Sequence, residues 1–197
     1  SQLPILRCTF DEDSVHDESM VDLTISLGDS MLGVNNLYGV AFSLFFDPAY
    51  AVDYSFGAYF DQSILAGNVY SINYEMPSAG QLDIAIVKND QSDTSGFGDI
   101  TGIKFILEDV IAGSSLQIDS FTFDFGNIQV IDKNYVIIDV EPVSDTVLIY
   151  QSPVTELKDV DINSIVNIFP NPANEMFYIT RKNVFEEDAS VYVYDLY

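Results

Sequence analysis

GVAFSLFFDP, residues 39–48, is the stretch on which the fold turns. In an extended chain Val40, Phe42, Leu44 and Phe46 fall on one side, and Ala41 and Phe45 on the other. A strand that is apolar on both sides belongs inside a sheet, and Asp47-Pro48 is a turn signal that ends it. Upstream, Val21, Leu23, Ile25 and Leu27 alternate with Asp22, Thr24 and Ser26, which is a half-buried strand stopped at Gly28-Asp29. Downstream, strands are expected over Val69–Tyr74 and Leu82–Val87, and where Ile103, Phe105 and Leu107 alternate with polar neighbours. The run from Leu116 to Phe125 changes phase, which predicts a bulge or bend near Asp119-Ser120. Val136–Val140 and Val147–Tyr150 complete the set. No long stretch holds a 3.6-residue period, and no helical segments separate the strands. The fold class is therefore all-β, a mainly antiparallel sandwich over residues 20–150. Val40, Phe42, Leu44, Ile84, Ile86, Ile103 and Phe105 are expected in its core.

Composition narrows the partners. A formal charge of −24 repels phosphates, so nucleic acid and anionic lipid are excluded as binding surfaces. It is what a soluble extracellular surface carries. Cys8 is the single cysteine, which rules out an internal disulfide and cysteine-based zinc sites. No apolar run reaches the length of a membrane span. Residues 1–19, which include DEDSVHDES at 11–19, read as an acidic N-terminal segment. Residues 151–164, QSPVTELKDVDINS, read as a polar linker. A second β unit follows at 165–197.

Two segments resemble known families. LYGVAFSLFFDPAY (37–50) and IVKNDQSDTSGFGDITGIKFIL (86–107) resemble the strand pairs and polar glycine-containing loop of cohesin-like jelly-roll domains, a rhythm that carbohydrate-binding modules share. VNIFPNPANEMFYIT (166–180) followed by VYVYDLY (191–197) resembles the type A C-terminal sorting domain of the type IX secretion system, a partial Ig-like β unit here. Its motif falls on Pro170, Asn171, Pro172 and Asp195. The two prolines fix φ and remove donors, making a rigid corner between strands. A complete domain of that kind continues past Asp195, so the chain reads as part of a longer protein. The resemblance implies export across the outer membrane of a Gram-negative bacterium by the type IX machinery, to the cell surface or medium.

Catalysis finds little support. The only histidine, His16, lies in the acidic segment, away from any nucleophile that the sequence places beside it. The acids sit mostly in loops or on outward strand positions, and the sandwich has little length left to build a glycosidase cleft. Calcium is the candidate ion, with Asp90, Asp93 and Asp99 as ligands in the loop KNDQSDTSGFGD, and the acidic segment Asp11, Glu12 and Asp13 is an equal candidate. A solvated polar loop explains the same residues without an ion, and the spacing does not match an EF-hand. Tyr50, Tyr54 and Tyr59 are the candidate carbohydrate contacts, although such a cluster is more often packing than platform. The expected function is a non-enzymatic adhesive or structural module with a protein or polysaccharide ligand. The alternative is a carbohydrate-binding module of a larger secreted enzyme.

Overall fold

The structure is a computed structural model that describes residues 2–65, 67–109 and 118–150, and the backbone of 166–169 and 178–181. The chain divides into two compact units, Ser1–Val154 and Thr155–Tyr197.

In the first unit the strands are β1 (Ile5–Phe10), β2 (Ser14–His16), β3 (Met20–Leu27), β4 (Val34–Phe45), β5 (Gly57–Tyr59), β6 (Val69–Met76) and β7 (Gln81–Lys88). After them come β8 (Thr94–Gly96), β9 (Gly98–Ile106), β10 (Ile118–Thr122), β11 (Asp124–Asp132), β12 (Glu141–Val143) and β13 (Thr146–Tyr150). They form a five-stranded sheet in the order β12-β1-β3-β9-β5 and a second sheet whose main path is the four strands β11-β4-β7-β6. β8 pairs with the start of β4, and β10-β13-β2 make a third, three-stranded sheet. All pairings are antiparallel except β1 with β12 and β13 with β2.

Alternation places the core as expected. Val40, Phe42, Leu44, Ile84, Ile86, Ile103 and Phe105 are all buried. Phe105 packs parallel on Phe56 at 4.7 Å between ring centroids, and Phe121 meets Phe123 edge-on at 4.9 Å. Such pairs add to the large area that aromatic rings remove from water. β4 is interior, lying between β11 and β7, but only one of its faces joins the core. Ala41 and Phe45 look outward, because their side of the sheet carries no second layer among the described residues.

Three expectations are corrected. Residues 5–10 are not an acidic lead-in: Leu6, Cys8 and Phe10 alternate into the core from β1, which pairs with β3. The phase change in the 118–125 run is not a bulge or bend at Asp119-Ser120, where the ladder of β10 to β13 is unbroken. Phe123 separates β10, in the three-stranded sheet, from β11, in the four-stranded one, so the chain changes sheets there. Finally, Val136–Val140 is not a strand but contributes a single bridge, Ile131 to Ile137. The Asp132 carboxylate takes the N–H groups of Asn134 and Val136 at 2.7 and 2.9 Å, and that side-chain turn consumes donors a strand would need.

In the second unit β14 (Val166–Phe169) pairs antiparallel with β15 (Tyr178–Arg181), Val166 opposite Arg181 and Phe169 opposite Tyr178. Pro170, Asn171, Pro172 and Asp195, together with the 151–164 linker, lie outside the described residues.

Candidate partner-binding face

β6 reverses the usual rule of alternation. Its register against β7 sets Tyr70 opposite Val87, Ile72 opposite Ala85 and Tyr74 opposite Asp83. Leu82, Ile84 and Ile86 of β7 point into the core, so the residues between them, and their β6 partners, point out. Tyr70, Ile72 and Tyr74 are consequently 71%, 62% and 61% exposed, while the polar Ser71 and Asn73 occupy the other side. A strand at the rim of the sandwich thus turns its apolar stripe to water.

The outward face continues across the sheet through matched rows. Gly39 and Ala41 of β4 stand opposite Val87 and Ala85, and Ser43 stands opposite Asp83. These small side chains make a low floor beside the taller Tyr70, Ile72 and Tyr74. In its middle is a hydrogen-bonded cluster: Ser43 Oγ and Gln81 Nε2 donate to Asp83 Oδ1 at 2.6 and 2.8 Å, and Asn127 Nδ2 donates to Ser43 Oγ at 3.0 Å. These bonds fix the orientation of the Asp83 carboxylate among the small side chains of the floor. At one end, Phe45 and Asp124 lead into an open cleft of about 390 Å³, walled also by Asp47, Tyr50, Phe121 and Thr122. Phe45 lies over Gly126, whose missing side chain makes the room; a Cβ there would come within 2.5 Å of the ring.

The outer face of the five-stranded sheet is different in kind. Arg7, Thr9, Asp22, Thr24, Ser26 and Lys104 dominate it. Tyr59 is laid flat on Gly102, its hydroxyl donating to Asp22 at 3.2 Å, with Lys104 bridging to Asp22 at 3.1 Å. On that surface the large ring of Tyr59 is tied down by hydrogen bonding, whereas Tyr70, Ile72 and Tyr74 stand out into solvent.

The residues expected to bind carbohydrate are not brought together. Tyr50 lines the cleft and donates to Asp119 at 2.5 Å, an interaction that pushes its hydroxyl pKa up to about 12 and lowers that of Asp119. Tyr54 sits exposed in a loop with φ of 59°, and Tyr59 belongs to the opposite sheet. Nor do the candidate calcium ligands converge. Asp90 accepts from Ser92 and Asn68, Asp93 is paired with Lys133 at 2.9 Å, and Asp99 is a β9 residue opposite Ser26. Among the described residues no group of three His, Cys, Asp or Glu side chains is arranged to hold a metal ion.

Solved structures share the fold of the sandwich. A type I cohesin in a cohesin–dockerin complex from Clostridium thermocellum superposes with a TM-score of 0.58 at 11% identity, over 77% of this chain and 96% of that one. The fold is that of the cohesins. A type II cohesin from the cellulosome of Acetivibrio cellulolyticus gives 0.55 at 12% identity, over 75% of this chain and 95% of that one. A non-cellulosomal cohesin from Archaeoglobus fulgidus gives 0.55 at 12% identity, over 78% and 94%. No protein-family model matches the chain, and its sequence matches no curated protein.

Sequence reasoning located the strand at 69–74 but not the cohesin-fold face it builds. The signal was present in the alternation of Tyr70, Ile72 and Tyr74 with Ser71 and Asn73. What was lacking was the direction: period two separates two faces without saying which is inside. Among the described residues no helix is long and apolar enough to cross a membrane.

Proposed function

We propose that the sandwich is a non-catalytic protein-binding module that docks its partner on the outward face of the β11-β4-β7-β6 sheet. The observation that carries this is the inverted stripe of β6. Three large, mainly apolar side chains are held in water beside a floor of small ones, at a cost of apolar hydration that a docked partner removes. The cohesin fold supports a dockerin-type module as that partner, since one of the similar structures is a cohesin–dockerin complex. Asp83 gives the face a fixed acceptor at its centre, and the cleft beside Phe45 offers aromatic walls with two carboxylates, Asp47 and Asp124. Both favour a partner that presents hydroxyl or basic side chains. For residues 165–197 we keep the reading of an export unit, supported by the side-by-side strands that flank Pro170-Asn171-Pro172 in sequence.

The test is a panel of dockerin modules and a panel of soluble polysaccharides, each titrated against the chain and against Ile72→Asp. Binding of a dockerin, weakened at least tenfold by Ile72→Asp while the melting temperature holds, is the expected result. Retention by a polysaccharide that Tyr54→Ala abolishes would replace this reading with the carbohydrate-binding one.

A further inference from the structure

β6 is the edge of its sheet, and its free side lacks the devices seen at the edges of the five-stranded sheet and at β11. The five-stranded sheet ends on strands of three residues each, β12 carrying Pro142 and β5 carrying Gly57. At the far edge of the four-stranded sheet, the ladder of β11 shifts register twice. These are the devices by which edges avoid pairing with other chains. β6 has none of them: it is eight residues long, its ladder to β7 runs without a register shift, and it contains no Lys, Arg or Pro. Among the described residues nothing pairs with its other side.

Which backbone groups face that side follows from one bond. Asn89 N–H donates to Asn68 C=O at 3.0 Å, and the register places these two residues directly opposite one another. Residues 68, 70, 72 and 74 therefore turn their amides toward β7, and Val69, Ser71, Asn73 and Glu75 turn theirs outward, by the alternation of an antiparallel ladder. An antiparallel strand added to this edge must match its own outward residues to these.

We propose that the added strand is β6 of a second copy of this chain, paired antiparallel about a two-fold axis through Ile72. In that register Ser71 meets the partner's Asn73, and Val69 meets the partner's Glu75, so outward amides face outward amides. On the exposed face Tyr70 stands against the partner's Tyr74, and Ile72 stands against its own counterpart. The strand is self-complementary in this sense: its aromatic positions flank the axis symmetrically, and its one charge avoids its copy. Glu75 is moreover turned back on its own chain, accepting from Tyr54 N–H and Phe56 N–H at 2.7 and 3.2 Å. Such an isologous contact closes at two chains. It joins two four-stranded sheets side by side, with the outward faces on one side; the pairing bonds are made by the backbone edge of β6, and Ile72 belongs to both the axis and the docking face. The opposing force is the repulsion of two chains of −24 each, which salt screens.

The experiment is sedimentation equilibrium of the full chain across a concentration series, at low salt and at about 0.5 M NaCl, where the screening length is only a few ångströms. The expected result is a reversible monomer–dimer equilibrium that tightens at least tenfold with salt, the opposite of a salt-bridged interface. Ser71→Pro removes an outward amide and no bond to β7, so it should leave a folded monomer at both salts. Should that variant lose its melting transition, Ile72→Lys carries the test, because it sets two ammonium groups on the axis. The register is read by oxidation. Ile72→Cys should cross-link two chains, since residues facing each other without mutual hydrogen bonds bring their Cα atoms to about 4.5 Å, within disulfide reach. Cys8 is buried and stays out of the reaction. A monomer at every concentration and salt, dimers that survive Ile72→Lys, or cross-links through Asn73→Cys in place of Ile72→Cys would overturn the proposal.

Discussion

Tyr59 and Gly102 make one contact at the scale of the residue: a Cβ on the glycine would fall 1.9 Å from the ring carbon Cζ, so only a hydrogen leaves the ring its seat. Gly102→Val should cost roughly 1–3 kcal/mol, as overpacking does, and should break the Tyr59–Asp22–Lys104 arrangement; urea unfolding measures the first effect. Phe105, fully enclosed among Phe56, Phe121 and Phe123, should cost about 3–5 kcal/mol on truncation to Ala, read from the same curves. The Tyr50–Asp119 bond sets a pH window. It holds the tyrosine neutral, so its contribution is present below the usual tyrosine pKa of about 10 and is lost as pH rises through about 12. It also holds the aspartate ionised, so the contribution fades again as acid titrates Asp119 through its lowered pKa. Tyr50→Phe should therefore lower the melting temperature at pH 7 and make little difference in strong acid. A mutant penalty that persists unchanged there would assign the tyrosine's role to packing on Phe121 instead.

Two elements show how a single group shapes a stretch of chain. The Asp132 carboxylate turns residues 133–136, and its pKa is lowered chiefly because it accepts the Val136 N–H. A carboxylate with a depressed pKa stabilises the native state above its unfolded value and loses that effect as pH falls. The gap in melting temperature between the parent chain and Asp132→Ala should thus close on acidification. Glu75 does the equivalent for the loop that carries Tyr54, spanning the amides of Tyr54 and Phe56 from β6. Glu75→Ala should speed amide exchange at those two positions at least tenfold and leave β4 and β7 protected; unchanged exchange would mean that other contacts hold the loop. Such turns were not legible beforehand. Val136-Ile137-Ile138 reads as a strand by composition, and only the reach of Asp132 across its own turn cancels that reading.

For the whole molecule, charge and burial make the predictions. With −24 at neutral pH, any screening salt should raise the melting temperature, and Ca²⁺ and Mg²⁺ at equal ionic strength should do so equally. A larger shift with Ca²⁺ would point to a specific site beyond the carboxylate arrangement described above. Cys8 is buried in the core, its thiol pKa pushed up to about 12 first by burial and then by the Asp145 carboxylate. Thiol reagents should label it only at the rate of global unfolding, because the reactive thiolate is scarce and out of reach.

The strand pattern and most of the core were determined by the sequence alone. Alternating Val, Leu, Ile and Phe between turn residues can bury themselves only as stacked sheets, and their spacing sets which residues share a face. Leu6, Cys8 and Phe10 carried that same alternation, and the acidic run after them drew the boundary too late. The short strands β5, β8 and β12 were beyond reach, since three residues become a strand only when a neighbouring ladder lends them hydrogen bonds. The same holds for the switch at Phe123, which exists because two sheets present free edges to one chain. The orientation of β6 was decided by tertiary structure too. Its pattern permits either face to lie inward, and pairing with β7, whose own apolar face already fills the core, sends Tyr70, Ile72 and Tyr74 out to solvent.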